Sequence, residues 1–305
     1  MKSSEAITFP TEAKQIVDVT KAPYHCDPTG KQDCTAALVR ALDDALAPAR
    51  EEYRRTVEYF TKHPFTNEGK QVVRMGPQVG NQYMHPLNIP PVKTLYFPSG
   101  TYLVSDTIRY SFRDLQSTLG SELNRLMIFR GESQTDTVIQ LRDNCAGFEE
   151  GTHRSVVDFM GGISTNNAIH NYFENLTIDV GSGNPGAVGL VFFSNNAGAV
   201  RNVTIRSSDS EWSGAVGLDV RNRNVSGALF QHLRIEGFDI GVRVLHNRLN
   251  TVLEHVHLTK QRRFGIHIDR HNISLRRIVS DNAVSALKIT GREAVVAMVD
   301  CDFQG

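Results

Sequence analysis

Net charge is absent from this sequence: 33 lysines and arginines stand against 33 aspartates and glutamates, which removes the electrostatic motive for binding nucleic acid or an anionic membrane. Long apolar runs are absent as well, and none approaches the roughly 20 residues that cross a bilayer. Met1 to Gln15 has neither the basic start nor the apolar stretch of a signal peptide. The chain therefore reads either as cytoplasmic or as a protein whose export signal was removed. Cysteine is scarce, four in all, and no Cys or His spacing suggests zinc. Cys26 and Cys34 flank Asp-Pro-Thr-Gly-Lys-Gln-Asp, a spacing as compatible with a small disulfide loop as with two free thiols, because geometry decides between them. At 305 residues the chain can bury roughly three quarters of its unfolded surface, so a long core needs neither metal nor disulfide staples.

What the sequence has in quantity is repetition. One phrase recurs six times, as Phe173-Glu-Asn-Leu-Thr-Ile178, Val200-Arg-Asn-Val-Thr-Ile205, Phe230-Gln-His-Leu-Arg-Ile235, Leu253-Glu-His-Val-His-Leu258, Leu275-Arg-Arg-Ile-Val-Ser280 and Met298-Val-Asp-Cys-Asp-Phe303. The starts are 27, 30, 23, 22 and 23 residues apart, a period that marks a solenoid whose turns stack on one another. A second phrase runs in step with it: Gly189-Leu-Val-Phe, Gly217-Leu-Asp-Val, Gly241-Val-Arg-Val, Gly265-Ile-His-Ile and Ala286-Leu-Lys-Ile. Each turn thus holds at least two short strands rich in β-branched residues, with Gly, Asn and Ser at the corners. The pattern predicts an all-β parallel β-helix, with function carried by side chains that point out of the stack.

The first part of the chain departs from this repeat. Ile16-Val-Asp-Val19 reads as a strand and Asp27-Pro-Thr-Gly30 as a turn. Asp33 is placed to cap a helix in which Leu38, Ala41, Leu42, Ala45 and Leu46 form one apolar stripe. An open β-helix end needs a cover, so residues 1–48 read as a strand and capping helix. Residues 49–93 read as an irregular insertion lying against the solenoid, because Gly76-Pro, Met84-His-Pro86 and Ile89-Pro-Pro91 interrupt regular structure. Coils then run over 94–305 as part of the same single domain, beginning with Thr94-Leu-Tyr-Phe97 and Tyr102-Leu-Val104.

The ordered motifs Asp27-Pro-Thr-Gly-Lys-Gln-Asp-Cys-Thr-Ala-Ala-Leu38, Leu95-Tyr-Phe-Pro-Ser-Gly-Thr-Tyr-Leu-Val104 and Phe129-Arg-Gly-Glu132 resemble the opening of the pectate-lyase-like superfamily, in particular its rhamnogalacturonase and epimerase-like branch. The resemblance covers nearly all of the chain outside residues 50–93. It implies a right-handed coil, as does the general bias of parallel crossovers, and it implies secreted or periplasmic, sugar-directed proteins. That superfamily includes polygalacturonase-like hydrolases, polysaccharide lyases, exo-glucanases with paired β-helices and viral tailspikes. One scaffold hosts several chemistries, so the site has to be argued separately.

The second phrase is the better strand for a site, because its non-core positions form a column of ionisable groups: Asp219 and Arg221, Arg243 and His246, then His267, Asp269, Arg270 and His271. Glycoside hydrolysis needs two carboxyls, roughly 5 Å apart for retention and more than 6 Å for inversion. The polygalacturonase pattern places an Asp pair before one such strand, and Phe238-Asp239-Ile240-Gly241 supplies only Asp239. Where the pattern expects a His before the next Gly, the chain has Arg263-Phe264-Gly265, and its Asn-Thr-Asp has no counterpart at Gly214-Ala-Val-Gly217. Hydrolysis of a polysaccharide is the leading reading, with Asp239, Asp269 and His267 as the catalytic candidates. Elimination from a uronate would instead need a base and a cation beside the carboxylate; Arg221, Arg243 and Arg270 have the fork for that. No dense Asp cluster supports Ca²⁺, and no cofactor is expected. A non-catalytic glycan-binding or tailspike-like trunk is the competing class.

Bland readings stand beside these. A charge in the column is more often a solvated surface group than a catalyst. Asn175, Asn202, His232 and His255 occupy one place in the first phrase and read as a stacked ladder at a corner. Trp212, the only tryptophan, lies in the polar loop with Glu211, where sugar stacking and loop packing explain it equally well. The Asn-X-Ser/Thr sequons at Asn175, Asn202, Asn224 and Asn272 read as accidents of the ladder. The sequence stops just after a strand, at Phe303-Gln-Gly305, which predicts either a further C-terminal portion or another subunit over the open end.

Overall fold

The computed structural model describes residues 16–62, 66–67, 70–71, 78–79, 82–83, 94–111, 127–161, 169–220, 226–245, 250–270, 272–292 and 294–304. Over these residues the chain winds as a right-handed parallel β-helix. Each full coil contributes strands to three faces. A bent sheet of 13 strands forms the first two and a sheet of 7 strands forms the third. The first phrase of the repeat supplies both halves of the bent sheet as single long strands: Ile169–Asp179, Asn195–Arg206, Ser226–Glu236, Asn250–Thr259 and Asn272–Asp281. The second phrase supplies the third face: Ile108–Ser111, Arg154–Gly161, Ala187–Phe192, Val216–Val220, Ile240–Leu245, Phe264–Asp269 and Leu287–Thr290.

The bend within each long strand has a local cause. Asn175, Asn202, His232, His255 and Arg277 lie in register and all have positive φ, at 58, 53, 55, 54 and 52°. One left-handed residue turns an extended chain through a corner without breaking its hydrogen-bond ladder, and Asn tolerates that region better than most residues. The side chains stack as a ladder. Asn202 Nδ2 donates to Asn175 Oδ1 at 2.9 Å, and the His232 and His255 rings lie 4.8 Å apart and 21° from parallel.

Alternate residues fill the core. Leu190, Leu218, Val242 and Ile266 point inward from the third face and expose nothing, and a run of rings, including Phe159 over Phe192 at 5.6 Å, follows the axis. The glycine that opens the second phrase is explained by crowding. A Cβ on Gly217 or Gly241 would lie 2.7 Å from the carbonyl oxygen of the glycine one rung on, and one on Gly265 the same distance from that of Ala286.

The N-terminal cap forms as the apolar stripe predicts, with Leu38, Ala41, Leu42, Ala45 and Leu46 all buried. Asp33 Oδ1 takes the amide of Thr35 at 2.8 Å. The helix is longer than expected, running from Thr35 to Lys62 through Pro48, so the boundary drawn at residue 48 is corrected. Proline removes one hydrogen bond, but Glu51–Arg55 and Glu58–Lys62 pairs at i,i+4 support the continuation. Beyond Lys62, most of the expected insertion lies outside the described residues. Of the two alternatives open for Cys26 and Cys34, the structure has free, buried thiols; they share a hydrogen bond that raises the pKa of Cys26 and lowers that of Cys34. At the other end, Val295, Met298, Val299 and Phe303 are exposed. Among the described residues no helix is long and apolar enough to cross a membrane.

Candidate functional site: the outer column of the third face

Because strand side chains alternate, the residues between the core positions of the third face point outward. Register then stacks Arg109, Asp158, Val191, Asp219, Arg243, His267 and Lys288 in one column, one residue per rung. Two residues further along, Leu245, Asp269 and Thr290 form a second short column. Four sequence candidates, Asp219, Arg243, His267 and Asp269, therefore do share one surface. Arg221, His246 and His271 lie outside the described residues.

The column is unusually buried for an outward face. Asp219 is 0% exposed and Arg243 9%, and they pair through Nη2–Oδ2 at 2.5 Å and Nε–Oδ1 at 3.3 Å. Asp158, also buried, takes Arg109 Nε at 3.0 Å. Toward the C-terminal end the column opens: His267 is half-buried and Lys288 exposed. Burial lowers the His267 pKa, and the charges of Arg243, Lys288 and Arg263 lower it further, against an opposing pull from Asp269. The imidazole is thus held in its neutral, basic form. Its Nε2 lies 3.1 Å from Thr290 Oγ1, and that hydroxyl lies 3.1 Å from Asp269 Oδ1. The Phe264 ring stands beside His267, with Lys288 Nζ 5.7 Å and the Arg263 guanidinium carbon 6.0 Å from its centroid. Arg270 Nε donates to Asp269 Oδ2 at 3.2 Å.

Asp239 is elsewhere. It stands at the corner before Ile240, paired with Arg262 at 2.7 Å. Asp269 is level with Leu245, six residues further along, which at about 3.3 Å per residue is about 20 Å. A carboxyl pair for glycoside hydrolysis spans less than 10 Å, so the structure does not join Asp239 to Asp269 across a bond. Strand length separates them. Trp212 shares Asp239's corner, since the Phe238 amide donates to the Trp212 carbonyl. Its ring is covered on one side by Lys260 Nζ, 3.4 Å from the centroid, and that ammonium also reaches Glu236 at 2.6 Å. Glu211 is exposed in the same loop. Lys260 thus packs on one face of the Trp212 ring, and register places neither Trp212 nor Glu211 in the column.

Sequence reasoning missed Asp158, because Arg154–Gly161 lacks the glycine that opens the second phrase and its period is masked by long intervening segments. Lys288 and Thr290 were legible by counting along Ala286-Leu-Lys-Ile. Asp158 and Asp219 lie two rungs apart, about 10 Å between backbones, each drawn to an arginine on its far side. Among the described residues there is no group of three His, Cys, Asp or Glu side chains that could hold a metal ion.

A family model described as rhamnogalacturonase A/epimerase, pectate lyase-like, matches residues 17–305. Among solved structures, the catalytic unit of an α-1,3-glucanase from Streptomyces thermodiastaticus is similar, with TM-score 0.53 and 14% identity over 94% of this chain and 44% of that chain. The A-module of a mannuronan C-5 epimerase from Azotobacter vinelandii aligns with TM-score 0.40 and 12% identity over 93% of this chain and 76% of that one. The Dettilon tailspike aligns with TM-score 0.35 and 11% identity over 95% of this chain and 50% of that one. At these identities the likeness is one of fold, and the chain spans less than half the length of the glucanase unit. No curated protein matches the sequence.

Proposed function

The chain belongs to the rhamnogalacturonase A/epimerase, pectate lyase-like family, and from that premise we propose that it acts on an acidic polysaccharide laid along the outer column of the third face, by removing the proton next to a uronate carboxylate. His267 is the base. It takes the C5 proton, the electron pair of that C–H bond moves onto the carboxylate, and the charge formed there is met by Lys288 and Arg263. In elimination the pair then returns to form the C4=C5 double bond as the C4–O bond breaks, the departing oxygen takes a proton from water, and the His267 imidazolium gives its proton back to solvent; in epimerisation water instead delivers a proton to the opposite face of C5, and His267 again loses its own to solvent.

The observation that carries this reading is the position of His267. Among the described residues it is the one imidazole in the column, held neutral, between the cations of the rungs before and after it. Arg243 is the less available of the two, since its fork is closed on Asp219. Family kinship and the exposed cations favour a polyuronate partner, and an exported location is consistent with such a substrate.

Hydrolysis is the second reading, favoured by one observation: Asp158 and Asp219 stand about 10 Å apart in the same column, near the upper limit for an inverting pair. A panel of plant and algal polysaccharides separates the readings. Elimination yields products with the ultraviolet absorbance of an unsaturated uronate, hydrolysis yields new reducing ends without it, and epimerisation changes the uronate composition without cleavage. Retention of a polysaccharide with none of these products would point to the binding module instead.

A further inference from the structure

Thr290 lies two residues past Lys288 on the same outer face, and register sets it beside Asp269. Its hydroxyl has three polar atoms in reach: His267 Nε2 at 3.1 Å, whose role depends on the tautomer, and two acceptors, Asp269 Oδ1 at 3.1 Å and the Ile268 carbonyl at 3.4 Å. A hydroxyl has a single proton to donate and two lone pairs to offer. A bond to an ionised carboxylate is roughly twice as strong as one between neutral groups, so the proton goes to Asp269. The Thr290 oxygen is then an acceptor toward the imidazole, which must donate from Nε2.

We propose that Thr290 and Asp269 are positioning residues that fix His267 as its Nε2–H tautomer, through a chain running from Nε2–H to Thr290 Oγ1–H to Asp269 Oδ1, and leave the lone pair on Nδ1 to receive the substrate proton. The inference rests on the proton-abstraction reading of the site. Once Nδ1 is protonated the same chain spreads the imidazolium charge toward a carboxylate, and it does so on an imidazole otherwise ringed by the cations Arg243, Arg263 and Lys288. Asp269 thereby acquires a role without touching the substrate, and the distance between it and Asp239 ceases to matter.

The test is spectroscopic, so it does not depend on knowing the sugar. Long-range ¹⁵N–¹H correlation spectra of the full chain, recorded well above the imidazole range, report the tautomer of each of the 11 histidines, and the signal lost in His267→Asn assigns the one in question. The expected result is Nε2–H in the wild type and in Thr290→Ser, with a mixed tautomer in Thr290→Val and in Asp269→Asn. A wild-type Nδ1–H tautomer, or a Thr290→Val spectrum unchanged from wild type, overturns the proposal. On a polyuronate that is turned over, Thr290→Val should lower kcat at least roughly tenfold with KM unchanged, move the acidic limb of the rate profile to lower pH, and be rescued by Thr290→Ser. If the tautomer responds as expected but no polysaccharide is altered, the hydrogen-bond chain stands and the proton-abstraction reading falls.

Discussion

Arg243 reaches back one rung and closes on Asp219 with both prongs of its guanidinium, at 2.5 and 3.3 Å, at a place where the aspartate has no exposed surface. The pair is a strand-to-strand contact, since the two residues are direct partners in the third sheet. Desolvation offsets much of the attraction in such a pair, yet breaking it leaves one charge buried alone.

Arg243→Met should therefore cost about 3–5 kcal/mol, whereas Asp219→Leu combined with Arg243→Met should come close to wild type. Urea unfolding followed by circular dichroism checks this. If the single and double variants are equally destabilised, the ion pair is not what the rung depends on.

His267→Asn should leave the fold intact and reduce turnover by about 10²–10⁴, the usual contribution of a general base. Because the His267 pKa lies below its ordinary value, the base form persists as pH falls. The acidic limb of the rate profile should lie below about 6.5, the value of a free imidazole. A limb at or above that value would mean another group is titrating.

The stacked histidines should make the corner acid-sensitive. Burial, and next the facing His255, lower the His232 pKa. A depressed folded-state value means that the unfolded chain takes up protons first as pH drops, so stability present above about 6.5 is lost as pH falls through the folded-state value. His232→Asn with His255→Asn would extend the pattern of Asn175 and Asn202 and should reduce the fall in Tm between neutral and acidic buffer. His267 contributes in the same direction, so part of the slope remains. An unchanged slope would show that the ladder does not titrate on unfolding.

Lys260→Ala should change the emission of Trp212, the single tryptophan, because it removes the ammonium 3.4 Å from the ring centroid. The stability cost should be about 0.5–1 kcal/mol, as for an exposed cation over an aromatic face. Oligouronate binding in the outer column should leave this emission unaltered in the wild type; a strong quench would move the sugar to the Trp212 corner.

Much of this fold is legible in the sequence, for physical reasons that differ by element. The repeat at Phe173, Val200 and Phe230 shows because each rung must bury the same two or three side chains, so the core imposes its period on the sequence. The glycine of Gly217, Gly241 and Gly265 shows because the backbones of successive rungs crowd there. Helix length was underestimated at Pro48, where a breaker in the text is outweighed by helical residues on both sides. Asp158 was hidden because its rung lacks the marker glycine, and Trp212 was ambiguous because Lys260, its neighbour in space, lies two coils away in the text.

Periodicity, alternation and the residues able to turn a corner together determined a stacked parallel coil with at least two strands per turn, since those constraints are local and recur in every turn. Which charges meet was decided only in the folded chain. Asp219 with Arg243, and His267 with Thr290 and Asp269, are brought together by register between rungs more than 20 residues apart. A slip of one residue would point every one of these side chains into the core instead, and no single rung contains the information that prevents it.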